Sequence, residues 1–316
     1  MQKIKRYRIL ITGVAGFIGS KLATELLNLG HEVTGVDVLK YDKSSINHLY
    51  SKKNFCFHKD DISNEKTIKK FIKKKDIIIP LAGLVGAPLC EKNKKEAVKI
   101  NLNAIKLIIK NISAKQKIIY PTSNSGYGVG KKNAFCTEET PLNPISLYGR
   151  TKADAEKVVM QHKNSISFRL ATVFGYSYRM RSDLLVNNFV KTALDKNKLE
   201  IFEPHFRRNY IHINDIVDAF VFSINNFEKL KSNTYNLGLS SANITKLELA
   251  KKIKKFYKKL NIKIILGIKD PDQRDYFVSN KKIEKKGFKA KVKLDEGIEE
   301  LFKVFRNSDI KINNNY

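Results

Sequence analysis

Three glycines at a fixed interval, Gly13, Gly16 and Gly19, stand between an apolar run over residues 8–12 and a helical pattern over 16–29 that ends at Gly30. In that setting each glycine has a separate task. Gly13 makes the tight turn, Gly16 lets the backbone approach a pyrophosphate, and Gly19 lets helix pack closely on strand. The free N–H groups of the helix start, Phe17 and Ile18 among them, face the phosphates together with the positive end of the helix dipole. A glycine triplet alone is a weak signal, because small residues also occur at ordinary strand–helix turns. Its weight comes from order: a second strand over 32–37 closes on Asp37. A carboxylate there accepts hydrogen bonds from an adenosine ribose and repels a 2′-phosphate, which favours NAD over NADP. Lys40 and Lys43 nearby argue the other way.

Further strands are expected over 55–57, 76–81, 117–122 and 167–173, with helices over about 64–74, 94–111 and 147–163 between them. Strict alternation with continuously apolar strands implies an α/β fold built on a doubly wound parallel sheet, covered on both faces. The alternation loosens from about residue 176. We expect a dinucleotide-binding lobe over 1–175, with a strand–helix segment near 208–230 returning to it, and a smaller C-terminal α/β lobe over 176–316 that binds substrate. The tail, 307–316, is expected to fray. Asp61-Ile62 would lie beside the adenine, or else cap the following helix with Ser63. Leu81-Ala82-Gly83 supplies small residues where a cofactor would pass the backbone, or simply packs tightly.

The chain has 316 residues, 42% of them hydrophobic, and a formal net charge of +29. Such a charge suits a nucleic acid or an anionic membrane surface. Here the lysines are scattered, with no basic tract interleaved with aromatics, so neither partner is expected. Cys56, Cys90 and Cys136 form no CxxC and suit a reducing cytoplasm. Lys3, Lys5, Arg6 and Arg8 precede an apolar run as in a signal peptide, but three regular glycines and no cleavage site fit a buried first strand better. The longest apolar stretch, 77–90, is too short and too broken by proline and glycine to span a bilayer. His205 and His212 lack partners at metal-ligand spacing, so no metal is expected.

Tyr148 and Lys152, four residues apart, share one face of the last of those helices. A phenol with a pKa near ~10 is a poor base at neutral pH. An ammonium fixed beside it would stabilise the phenolate and make a usable proton acceptor. Ser146 is a candidate N-cap, which would put Tyr148 in the first turn, where the helix end also favours an anion.

These motifs, with Asn101, Ser123-x-x-x-Tyr127-Gly128, Arg169-x-x-x-Val173-Phe174-Gly175, Arg208 to Asp215, and Arg274 with Gly287-Phe288, resemble the extended short-chain dehydrogenase/reductase family in its sugar-nucleotide branch. The resemblance implies that Tyr148 is the general base and that Lys152 holds the nicotinamide ribose and tunes Tyr148. It implies that Ser123 hydrogen-bonds the reacting hydroxyl, and that Asn101 supports the cofactor pocket. Arg208 and Arg274 would bind the substrate diphosphate, which planar-fork donors suit. Asn187 would contact the same phosphates. Arg179 and Arg181, in the loop leading to an expected helix over 184–194, could add to that site or else be exposed arginines that serve solubility.

Family members of the 4,6-dehydratase type carry an Asp-Glu pair directly after the catalytic serine or threonine. This chain has Asn124-Ser125, which disfavours dehydration. Two outcomes of C4 oxidation remain: release of the 4-keto sugar by a dehydrogenase, or return of the hydride to the other face by an epimerase. The segment 120–128 is similar to the GDP-heptose 4-dehydrogenases of bacterial capsule heptose synthesis, which makes GDP-manno-heptose the expected substrate. A non-catalytic NAD-binding sensor or scaffold would normally lose the Tyr/Lys pair or the serine, and all three are present. By the same resemblance the helices over 94–111 and 147–163 would pair into a homodimer or homotetramer.

Overall fold

Side-chain alternation along the first strand sets the two faces of the sheet. In the computed structural model, which describes residues 5–131, 134–267, 274–307, 312, 314 and 315, β1 (Arg8–Thr12) sends Ile9 and Ile11 into one apolar cluster and Leu10 into another. The first half continues with α1 (Phe17–Asn28), β2 (Glu32–Asp37), β3 (Phe55–Lys59), α2 (Glu65–Ile72), β4 (Ile77–Pro80), α3 (Ala87–Lys92), α4 (Lys94–Val98), α5 (Ala104–Asn111), β5 (Lys117–Ser123), β6 (Phe135–Cys136) and α6 (Leu147–Val159). There follow β7 (Ser165–Leu170), β8 (Thr172–Phe174), α7 (Leu185–Lys196), β9 (Lys198–Phe202), β10 (Arg207–His212), α8 (Ile213–Asn225), α9 (Phe227–Leu230) and β11 (Asn233–Leu237). The last part holds β12 (Asn243–Thr245), α10 (Lys246–Phe256), β13 (Asn261–Ile265), β14 (Phe277–Val278), α11 (Lys281–Lys285) and α12 (Leu294–Arg306).

Seven parallel strands form one sheet in the order β11-β7-β5-β4-β1-β2-β3. One face is covered by α1 and α8 through Leu22, Leu26 and Phe220. The other is covered by α2, α5 and α6 through Ile68, Phe71, Ile105, Ile108 and Val159. The doubly wound parallel sheet is therefore as expected. The order reverses between β1 and β4, and that is where such sheets open a ligand crevice at their carboxyl ends.

Three expectations need correction. The single strand over 167–173 is two. β7 stays in the main sheet, and after Ala171 β8 leaves it to join a three-stranded sheet ordered β12-β10-β8. The segment near 208–230 returns only as a helix: α8 packs on α1, while β10 pairs with β8 and β12 in the small sheet. The seventh strand of the main sheet is instead β11, whose Asn233, Thr234 and Asn236 hid it among polar residues. The helix over 94–111 is interrupted by a π-helical turn at Lys99–Asn103, and α3 precedes it, with Pro88 in its first turn where no N–H is needed.

The second lobe has its own core, in which Phe189 and Val190 of α7, Leu249 and Ile253 of α10, and Ile298 and Leu301 of α12 meet. Of the tail, most residues lie outside the described set. Ile312 bridges to Met180, and Asn314 accepts from the Ser182 backbone N–H at 3.1 Å, so the described part docks on the loop before α7. His212 is structural: Nδ1 caps α8 and Nε2 lies 2.5 Å from Glu300.

Candidate active site

A cavity of about 680 Å³ opens at the carboxyl ends of β1 and β4, at the reversal of strand order. Gly13 turns the chain there with φ +73°, and a Cβ at this position would lie 2.5 Å from the backbone nitrogen of Ala82. A Cβ on Gly19 would lie 2.2 Å from the Gly13 carbonyl, which is the close helix–strand contact expected of it. Gly16 meets only the Gly13 carbonyl and otherwise faces open space. No side chain caps α1, and Gly16, Phe17 and Ile18 line the cavity, so the helix start is open to an anion. Asp37 accepts from the Ala15 N–H at 3.0 Å and the Leu39 N–H at 2.8 Å. Burial pushes its carboxyl above the ordinary range, opposed by those N–H groups. Further donors, such as ribose hydroxyls, would relieve that burial.

Asp61, Ile62, Leu81, Ala82 and Gly83 also line the cavity. Asn64, not Ser63, caps α2, while Asp61 accepts from the Ser63 N–H at 2.8 Å. Asn101 lies behind the wall. Its amide both donates to and accepts from the backbone of Leu84 at 2.9 Å, and thereby fixes the turn after β4. These features fit a dinucleotide: an uncapped helix start for its pyrophosphate, a carboxylate for its adenosine ribose, and small residues where it would pass between the strands.

Ser123 ends β5, and Tyr148 and Lys152 stand one turn apart on α6; all three reach the cavity. The Ser146 hydroxyl accepts from the Gly149 N–H at 3.1 Å, so Ser146 is the N-cap and Tyr148 lies in the first turn, as expected. Ser123 stands beside the Tyr148 phenol and favours its ionised form. The expected direct tuning by Lys152 is not the arrangement found. The Lys152 ammonium donates to the Pro121 carbonyl at 2.6 Å and sits 4.3 Å from the Tyr120 ring centre. Burial pushes the Tyr148 phenol above its ordinary value, and Arg274 is the strongest opposing charge. Burial also brings Lys152 down to about 7, opposed by Glu156 and Cys90. Glu156, one turn further along α6, was not singled out from sequence. Its carboxylate is gripped by Arg169 through Nε at 3.1 Å and Nη2 at 2.7 Å.

Arg208 and Arg274 come together. Arg208 donates to the carbonyl oxygens of Arg207 and Arg274, and Arg274 donates to the Ser125 hydroxyl, which is 2.8 Å from Ser123 Oγ. Asn187 does not line the cavity. Its amide is fully buried and spent on Gly175 and on the Arg181 carbonyl, and its neighbour Asn188 reaches the wall instead. Lys246 and Tyr276 line the cavity as well, and nothing in their sequence spacing distinguished them. Arg179 lies against Tyr41, at 4.7 Å, and within the field of Asp37. Among the described residues, no group of three His, Cys, Asp or Glu could hold a metal ion, and no helix is long and apolar enough to cross a membrane.

The pattern of the NAD dependent epimerase/dehydratase family matches residues 9–238, from β1 to the residue after β11. The chain belongs to that family. It is an enzyme of the NAD dependent epimerase/dehydratase type, with NAD as its cofactor. Protein CapI of Staphylococcus aureus is 30% identical over 237 residues, 67% of each chain. The uncharacterized protein MJ1055 of Methanocaldococcus jannaschii is 28% identical over 318 residues, 93% of this chain and 95% of that one. Among solved structures, UDP-glucose 4-epimerase of Thermotoga maritima with UDP-glucose superposes with a TM-score of 0.83 at 23% identity, covering 95% of this chain and 98% of its own. The dTDP-glucose 4,6-dehydratase of Bacillus anthracis with NAD has a TM-score of 0.82 at 22% identity, covering 96% and 97%.

Proposed function

We propose that this enzyme oxidises a nucleoside-diphosphate sugar at C4 and does not go on to dehydrate it. The observation that carries this reading is the pair after Ser123. Asn124 and Ser125 are neither acid nor base at neutral pH, and the Ser125 hydroxyl is engaged by Ser123 and Arg274. The oxidised nicotinamide, when bound, supplies the hydride acceptor. Tyr148 takes the proton of the sugar hydroxyl, with Ser123 beside the phenol, where it would hold the same oxygen. Arg274 opposes the burial of Tyr148 and favours its phenolate. Lys152 would hold the nicotinamide ribose. Arg208 and Arg274 would take the substrate diphosphate, a role their forked donors suit.

For the substrate we propose GDP-manno-heptose, with release of the 4-keto sugar as a capsule or surface-polysaccharide precursor. The wording of segment 120–128 supports this. The C4 epimerase is the second reading, favoured by a relative named UDP-glucose 4-epimerase, from Lactobacillus helveticus, that is 25% identical over 273 residues. Incubation with GDP-manno-heptose and an oxo-acid acceptor, followed by identification of the sugar product, separates them. A 4-keto sugar formed in step with acceptor reduction is expected. Recovery of only an epimeric sugar nucleotide, with no acceptor consumed, rejects the dehydrogenase.

A further inference from the structure

We propose that Arg179 is a cofactor-binding residue, which reaches across from the second lobe to close on the pyrophosphate of the dinucleotide. Arg179 belongs to the loop between β8 and α7 and is 2% exposed, yet it forms part of the cavity wall. Its guanidinium stacks on the Tyr41 ring at 4.7 Å. Nη2 donates to the side-chain oxygen of Asn315 at 2.7 Å, a neutral partner. Nε is buried and has no hydrogen-bond partner among the described residues.

The acids nearby are committed elsewhere, and Asp42 among them accepts from the Ser44 N–H at 2.8 Å and the Ser44 hydroxyl at 2.6 Å. Asp183 is held by Arg181 through two side-chain bonds. Asp37 is turned to the N–H groups of Ala15 and Leu39. Burial and the like charge of Arg181 bring Arg179 down to about 10, so it remains a cation at neutral pH. A buried guanidinium at a cavity wall, with spare donors and no carboxylate of its own, is matched to a diphosphate with its paired acceptor oxygens.

Two diphosphates are candidates, and placement decides between them. Arg208 and Arg274 stand with Ser125 on the side of the reacting serine. Arg179 stands against the segment after β2, which is itself tied to the glycine turn: Asp37 takes the Ala15 N–H, and Ser45 donates to the Ala15 carbonyl at 2.9 Å. Arg179 therefore faces the half of the cavity in which the cofactor phosphates would lie. The inference holds whichever sugar nucleotide is the substrate.

The test uses the full chain stripped of cofactor and calorimetric titration with NADH, ADP-ribose, adenosine, GDP and UDP. Arg179→Met should weaken NADH and ADP-ribose by roughly 10- to 100-fold, the range for losing hydrogen bonds from a charged donor. Adenosine and the nucleoside diphosphates should stay within about twofold on the same scale. Removal of an uncompensated buried cation should leave the thermal midpoint of the cofactor-free protein unchanged or raise it. Arg179→Lys, which keeps the charge and loses the fork, covers the case of a misfolded methionine variant and should weaken NADH several-fold. Unchanged NADH affinity overturns the proposal. So does weakening of GDP or UDP instead of NADH, or an equal loss for adenosine.

Discussion

Glu156→Ala separates two roles of one carboxylate. The Glu156 and Arg169 side chains are 6% and 8% exposed, and the guanidinium grips the carboxylate through two nitrogens. Removal of the carboxylate leaves a buried cation with only the Tyr127 hydroxyl and the Glu138 carbonyl as partners among the described residues. Breaking a buried pair in this way costs about 3–5 kcal/mol. At about 2–4 °C per kcal/mol for a chain of this size class, the midpoint should fall by roughly 6–20 °C. The second role concerns Lys152, one turn earlier on the same helix face, which burial has brought down to about 7 and which Glu156 pushes back up. The ammonium is present below its pKa. Loss of Glu156 lowers that pKa, so the alkaline limb of kcat/KM that Lys152 controls should move to lower pH. The same depressed value means that burying Lys152 costs stability in full below about pH 7, and less as pH rises from there. The combined variant Glu156→Leu with Arg169→Met removes both charges at similar volume and should recover most of the midpoint. It should not restore the pH limb. Thermal unfolding followed by circular dichroism and a pH–rate profile provide the two readouts. A Glu156→Ala midpoint within about 2 °C of wild type, well short of the fall expected for this loss, would refute the structural half. Recovery of both readouts in the combined variant would refute the influence on Lys152.

Gly13→Ala places a side chain at φ +73° and 2.5 Å from the Ala82 nitrogen. The left-handed conformation alone costs about 1–2 kcal/mol, and the displaced turn should weaken NADH at least tenfold by calorimetry. Ser146→Ala leaves the Gly149 N–H without its cap and should cost about 1 kcal/mol in chemical unfolding. An unchanged pH–rate profile in that variant would remove any contribution of the helix end to Tyr148. Tyr148→Phe should keep NADH and sugar-nucleotide affinity and lose turnover by at least ~10²-fold, the lower bound for general-base catalysis. Full activity in that variant would end the assignment of the base.

Much of the first lobe was legible, because buried parallel strands read as apolar runs and the glycine turn marks where the first of them ends. The seventh strand was not, since its Asn236 is buried among partners no local pattern reveals: it takes the Tyr127 hydroxyl at 2.7 Å and donates to the Ser279 carbonyl at 3.1 Å. The break at Ala171 was equally silent, because a strand that changes sheets keeps its extended, apolar character on both sides of the step. Within the site, residues chosen by motif reached the cavity wherever spacing fixes direction, as with Tyr148 and Lys152 on one helix face. Asn187 and Asn188 differ by a single position, and one position on a helix decides between core and cavity. Glu156 carries no local signal, because a charged residue on a helix usually meets solvent, and only the fold brings Arg169 to it.

The step at Ala171 has a consequence for engineering. The backbone enters the small sheet through β8, leaves it after β10, rejoins the main sheet as β11 and departs again for β12. The second lobe is thus woven from separated pieces instead of hanging from one tether. Exchanging it with a relative by a single cut-and-paste crossover would sever strands in both sheets, so altered sugar preference should be sought through scattered point replacements around the cavity rim.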